Sequence, residues 1–430
     1  MDLIRHILWN ISQAISTPPI IFILIGLSMY LYSKNRNTVV MQKMICGGSV
    51  NSEIELTLSQ IVLGIVSGIL ISVMLGILGI TFVKDSSIIF LLYISILLTF
   101  IKPRLICFSY SGAILGVLSI FIKTLNSLGI SFEFQNYFIV DIPQLVAFIG
   151  IMHIVEGFLV MIDGHRGAMP VFSEKNGKIL GGYSLKRYWI VPISLITTLT
   201  SNSYYMLGNK INDIPEWWSN MPFINGTTLA AIVGIVIFNM IGIIGYSSVT
   251  FTRSKREKAI SSGISILIFG IILTILSGII KLAIIGDIFL VIFMPLAHEF
   301  MLKIQTKEEQ KRSPKYVSSN KGLTVLEIAS ESIFNEFGID IGNRLVSING
   351  IEINSEPEIY SILKENLYSA VFKIIDNSGK INEIKFRHKK NTRLGLVLVP
   401  KHVKKEQVIE VNNESFNNIL EEIRKKHNKN

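Results

Sequence analysis

The chain has 430 residues, 50% hydrophobic and 17% charged, with a formal net charge of +10. A mean hydropathy of +0.50 leaves too little charge to clothe a water-soluble protein of this size, and the abundance of Ile, Leu and Phe excludes a disordered one. Cys46 and Cys107, the only cysteines, exclude a disulfide-stapled secreted domain. The Lys and Arg excess lies in connectors and in residues 401–430 with no recognition motif, which argues against nucleic acid and for topology and attraction to an anionic bilayer.

Taken in chain order, apolar runs long enough to be weighed as membrane-spanning helices fall at residues 11–32, 61–83, 86–101, 105–122, 142–162, 188–207, 226–252, 259–280 and 284–302. A spanning helix needs about 20 such residues at ~1.5 Å each. The runs 61–83, 226–252 and 259–280 carry no charge and are the firmest of these. The prediction is nine spans, or eight if one marginal helix lies in the interface. Basic residues then alternate between sides. Lys34, Arg36, Lys43, Lys102, Arg104, the Arg166–Arg187 group and the Arg253–Lys258 group fall on one side, against single lysines at 84, 123, 210 and 281 and Arg5. The positive-inside rule puts the first set and everything after Leu302 in the cytoplasm. No signal-peptide pattern is expected at the start, where Arg5 is the lone basic residue before the apolar run.

The composition changes after the last run. Residues 1–304 read as a polytopic membrane domain, 305–320 as a polar linker broken at Ser313-Pro314, 321–400 as a small α+β domain, and 401–430 as a basic tail. Within the tail, 413–426 carries Phe416, Ile419, Leu420 and Ile423 at helical spacing, an amphipathic pattern. Strands are predicted at 322–328, 344–348, 370–376, 381–388 and 394–399, helices at 330–337 and 356–366, with Asn349-Gly350 as a turn pair.

The pattern Gly322-Leu323-x-Val325, then Gly338-Ile339-x-x-Gly342-Asn343-x-Leu345-Val346-x-Ile348-Asn349-Gly350, resembles a PDZ domain of the bacterial type. That resemblance implies a groove in which an extended peptide pairs with an open strand edge. Thr324–Ile328, with Val325 and Leu326, would supply the edge strand, and Lys321, Gly322 and Leu323 the loop whose N–H groups hold a carboxylate. Tyr360 and Leu363 on the second helix would wall the pocket. Val325 and Leu363 serve equally well as core residues, and the ligand is either a chain terminus or an internal strand.

Ionisable residues inside the apolar runs need an explanation, because burying them in lipid is costly. His153 and Glu156 share one helix face, Asp163 follows at the end of the same helix, and His298 and Glu299 lie in the last run. A zinc protease would need H-E-x-x-H, which is absent, so no metal site, cofactor or catalytic residue is expected. His153 and Glu156 remain open between a polar transport path and an interhelical hydrogen-bond pair.

The segments Asp141-Ile142-Pro143, Glu156-Gly157-Phe158-Leu159, Leu185-Lys186-Arg187-Tyr188-Trp189-Ile190-Val191-Pro192, Pro215-Glu216-Trp217-Trp218 and Leu394-Gly395-Leu396-Val397 are similar to the MinJ family of cell-division topological determinants. The resemblance implies a non-enzymatic membrane scaffold with a cytoplasmic PDZ domain. It further implies partners of DivIVA type, which mark poles or septa, and the MinC–MinD division inhibitor. Tethering such a groove to the bilayer raises its partners' local concentration there.

Overall fold

The computed structural model describes residues 2–401 apart from 84–87, 131–137, 176, 201–213, 225, 281–282, 320, 366–368 and 387–393. The predicted amphipathic helix at 413–426 lies outside these residues.

The chain begins with helices α1 (Asp2–Ser16) and α2 (Pro18–Cys46), then α3 (Glu53–Leu78), the short strand β1 (Phe82–Val83), α4 (Ile88–Ile101), α5 (Phe108–Ser127) and α6 (Ile142–Asp163). Strands β2 (Met169–Lys175) and β3 (Lys178–Thr200) follow, then a one-turn helix α7 (Gly226–Ala231), strand β4 (Ile232–Thr250), and helices α8 (Lys255–Ile279) and α9 (Ala283–Lys311). Five of these helices, α3, α5, α6, α8 and α9, are long and apolar enough to cross a membrane.

The expectation of nine spans is therefore too high among the described residues. The run 11–32 is broken where Pro18 and Pro19 start α2, a position that suits proline because its missing N–H has no helical partner there. The run 86–101 yields only the 14 residues of α4. The largest correction concerns the runs 188–207 and 226–252: residues 188–200 form the later part of β3 and the second run contains the whole of β4, the two strands pairing antiparallel from Tyr183↔Thr250 to Thr200↔Ile232. A strand that is apolar on both faces, as β3 and β4 are, reads as one continuous apolar run, so length alone does not tell it from a spanning helix. The β-branched content of both segments favours the extended form. The basic residues 175–187 consequently lie on β2 and β3 rather than in a connector, so the nine-span charge alternation does not fix the sides.

Helix α3 covers one edge of β3. A Cβ on Gly64 or Gly68 would strike the carbonyl oxygens of Ile190 and Pro192, and Ser72 Oγ accepts from the backbone N–H of Ser194 at 2.8 Å. Four helical residues rise about 6 Å, close to the ~6.7 Å between alternate strand residues. The small residues 64, 68 and 72 thus track positions 190, 192 and 194. Pro192 has no N–H to leave unsatisfied on that edge. In surroundings without water, an edge must be covered in some such way.

Helices α6 and α8 pack through glycines. A Cβ on Gly150 or Gly157 would meet Gly270 O and Gly263 O at 2.9 and 2.7 Å, and one on Gly263 or Gly270 would meet the α6 backbone in return. Small residues at such a crossing let two backbones approach closely.

Beyond α9 come β5 (Tyr316–Val317), β6 (Leu323–Ile328), β7 (Arg344–Ile348), β8 (Ile351–Glu352), α10 (Glu356–Glu365), β9 (Ala370–Ile375), β10 (Ile381–Phe386) and β11 (Leu396–Leu398). The predicted helix at 330–337 is a single 3-10 turn at Ile333–Asn335. The second sheet runs in the order β10-β9-β7-β6-β11, with β8 on β7. Its core joins Leu323, Val325, Phe334, Leu345, Ile359, Leu363, Phe372 and Leu396.

Of the segment expected as a linker, residues 305–311 continue α9 and Tyr316–Val317 form β5. Glu309 Oε1 accepts from the backbone N–H groups of Phe251 and Thr252 and from the hydroxyls of Thr250 and Thr252 at 2.8–3.0 Å, tying α9 to the β4–α8 turn. Strand β5 pairs with β3 at Leu180↔Val317.

Candidate functional site

Three places gather the polar residues singled out in the sequence. The first lies at the end of α6. Asp163, fully buried, accepts from Arg187 of β3 through Nε at 2.9 Å and Nη2 at 2.5 Å, and from Trp189 Nε1 at 2.9 Å. Arg187 also donates to Ser59 Oγ at 2.7 Å. Helices α3 and α6 and strand β3 meet on this one ion pair. All three bonds end on Asp163 Oδ2, a charge-assisted contact of the kind that is stronger than a neutral hydrogen bond.

The second lies midway along α6. His153 and Glu156 share a face as expected, with Nε2 and Oε2 3.9 Å apart. The structure adds two groups from distant elements. Cys107, the residue before α5, places Sγ 3.1 Å from His153 Nε2 and 3.5 Å from His298 Nε2 on α9. All three ligand atoms lie within 4.8 Å of one another. Around them, Ser109 Oγ is 3.3 Å from His153 Nε2, His153 Nδ1 is 2.7 Å from Ile149 O, and Tyr110 bridges His298 Nδ1 at 3.1 Å to Glu299 Oε1 at 2.5 Å. Arg104 Nη2 donates to the same Glu299 oxygen at 3.0 Å. Phe269 of α8 sets its ring edge-on to both imidazoles. In the sequence His153 and His298 stand in separate apolar runs, and nothing there gives Cys107 a role. Residues 107, 153 and 298 follow no ligand spacing, and only the helix packing brings them together.

The third is the small α+β domain, which docks on the strands before α8. The Tyr183 hydroxyl donates to Leu326 O, Lys255 Nζ donates to Glu327 Oε2 at 2.7 Å, and Ser330 N and Oγ donate to Ser49 O at 2.9 and 2.7 Å. Leu326, Ala329, Val397 and Val399 join the core of the helical region. Desolvation in this contact pushes the phenols of Tyr183 and Tyr316 up, Tyr316 to about 12.

The predicted groove residues fall differently from expectation. Strand β6 is internal: Leu323 and Thr324 pair with β7, while Val325, Glu327 and Ile328 pair with β11. Thr324, Val325 and Leu326 are therefore buried and do not form an edge. Lys321 is exposed, but its N–H donates to Ser319 Oγ at 3.3 Å, and that of Gly322 donates to Ser319 O at 3.1 Å. Gly322 has φ +125°, with Leu345 O where a Cβ would stand, so glycine is required there for close packing. Leu363 is buried in the core of this sheet, and Tyr360 is half-buried and packed against that core. The outermost strand at this end of the sheet is β11, entered through Gly395 at φ +72°.

No family model matches the chain, and no solved structure matches it. It is similar to the protein of Bacillus subtilis (strain 168) named cell division topological determinant MinJ, 21% identical over 324 residues, which are 74% of this chain and 76% of that one.

Proposed function

We propose that the chain is a non-enzymatic, multi-pass membrane scaffold in the placement of the cell-division site. In this reading the α+β domain is a PDZ-type module that binds partner proteins, linking a pole or septum marker of DivIVA type to the MinC–MinD inhibitor. The observation that carries it is similarity to a division-site determinant across three-quarters of both chains, in a structure with five candidate membrane spans followed by a small sheet.

The physical mechanism is strand addition. β11, rather than Thr324–Ile328, ends the sheet order and is the strand to which a peptide would add; Leu396–Leu398 are buried and Val397 and Val399 pack on the helical core, so that contact must part for a peptide to pair there. Leu363 and Tyr360 of α10 pack into the core of the same sheet. The cytoplasmic side is favoured by the basic residues where α8 starts and α9 ends: Arg253, Lys255, Arg256 and Lys258, with Lys303, Lys307, Lys311 and Arg312. These ends share one side, since Arg253 pairs with Glu308 at 2.9 Å and Lys258 with Glu309 at 3.8 Å.

The test is a fluorescent fusion of the full chain, imaged in its own cells beside a deletion strain. Septal or polar enrichment, with filaments or minicells on deletion, is the expected result. Uniform membrane fluorescence with normal division would count against the scaffold. Retention of DivIVA- or MinD-type proteins by the anchored full chain, and their loss when residues after 320 are removed, would separate partner binding from placement.

A further inference from the structure

We propose that Cys107, His153 and His298 form a binding site for a zinc-class transition-metal ion, which ties the start of α5, the middle of α6 and α9 together. Zinc bound to thiolate at ~2.3 Å and imidazole at ~2.0 Å in tetrahedral geometry sets S···N separations of about 3.5 Å. The observed values are 3.1 and 3.5 Å. One soft sulfur and two imidazole nitrogens are the donor set such an ion prefers over hard oxygen-seeking cations.

The surrounding hydrogen bonds orient both rings for this task. His153 Nδ1 faces the Ile149 carbonyl, an acceptor only, so Nδ1 carries the proton and Nε2 presents its lone pair toward Cys107. The Tyr110 hydroxyl gives its proton to Glu299, whose charge Arg104 balances, so it accepts from His298 Nδ1 and leaves His298 Nε2 with a lone pair as well. A carboxylate–tyrosine–histidine relay of this kind fixes tautomer and ring direction, as metal-binding histidines require. Glu156, 3.9 Å from His153 Nε2, is the nearest carboxylate for a fourth position. Binding displaces the Cys107 thiol proton to solvent and leaves the thiolate on the ion. The site is independent of the division-scaffold reading, and either stands if the other fails.

The experiment uses the full chain in lipid nanodiscs, washed with a weak chelator and measured for metal by mass spectrometry. About one zinc per chain is expected, lost in Cys107→Ser and His298→Ala and retained in Cys46→Ser, a buried thiol elsewhere. In the Cys46→Ser chain, added zinc should slow maleimide labelling of Cys107, and cobalt should give a thiolate-to-metal charge-transfer band in the near ultraviolet. These readings need no change at the site, so they hold even if the site variants misfold. Absence of bound metal together with unprotected labelling would overturn the site and leave a hydrogen-bonded thiol cluster.

Discussion

Arg187 of β3 and Asp163 of α6 form a two-bond ion pair sealed from solvent, with side chains 1% and 0% exposed. Removing one partner leaves the other charge buried and alone, which typically costs about 3–5 kcal/mol. Asp163→Asn or Arg187→Met should lower the melting temperature in detergent markedly. The Asp163→Leu, Arg187→Met double variant should recover part of the loss, because the uncompensated charge is gone. Differential scanning fluorimetry of the purified chain checks both outcomes.

The glycine crossing of α6 and α8 leaves no room for a side chain. Gly157→Leu or Gly270→Leu should force the helices apart, at a cost of about 1–3 kcal/mol or more. Exposed positions of the same helices, such as Phe158 at 43% exposure, should tolerate leucine without measurable change. Thermal melts of the three variants decide it.

Ser72 supplies the acceptor for the Ser194 N–H on the α3 side of β3. Ser72→Ala should leave that N–H unpaired and cost about 1–3 kcal/mol. Hydrogen exchange should then quicken at Ser194 while the β3–β4 ladder beyond it stays protected.

The α+β domain is held to the strands by the Tyr183–Leu326 and Lys255–Glu327 contacts. Tyr183→Phe with Glu327→Gln should loosen docking by about 1–3 kcal/mol without unfolding either part, a charged hydrogen bond being the stronger of the two. Faster proteolysis within 312–320, with an unchanged melting profile of the helices, is the expected reading.

His165 lies just beyond α6, where burial first, and the Lys255, Arg166 and Arg256 cations with it, hold its ring below the ordinary imidazole pKa despite Asp163 nearby. The folded state therefore favours the neutral ring. Its contribution to stability is complete above the unfolded imidazole range near 6.5 and fades as pH falls through the lower folded value. His165→Gln should make the melting temperature less sensitive to pH between about 7.5 and 5.5.

Helices α3, α5, α6, α8 and α9 were legible in the sequence, because each is a long apolar run with polar or basic flanks. Strands β7, β9 and β10 and helix α10 were legible through alternation, turn pairs and a three-to-four spacing. The sequence did not distinguish β3 and β4 from spanning helices, since β3 is buried on both faces and β4 is apolar on its less buried face as well, where Val233 and Phe238 are exposed, so neither alternates apolar with polar residues. It likewise put Thr324–Ile328 at an edge of the small sheet, where the structure has that strand between β7 and β11. The chain shows that Leu323–Ile328 is extended, but which neighbours flank it depends on where β11 returns, some seventy residues later.

What the sequence determined by itself is which segments must leave water: apolar surface and its charged boundaries are local properties of the chain. Which polar groups meet inside was decided only by tertiary structure. Asp163 finds Arg187 across 24 positions and Cys107 finds His298 across 191. A buried charge or lone pair needs a partner at about 3 Å, and helix crossings set that distance without leaving any spacing in the sequence.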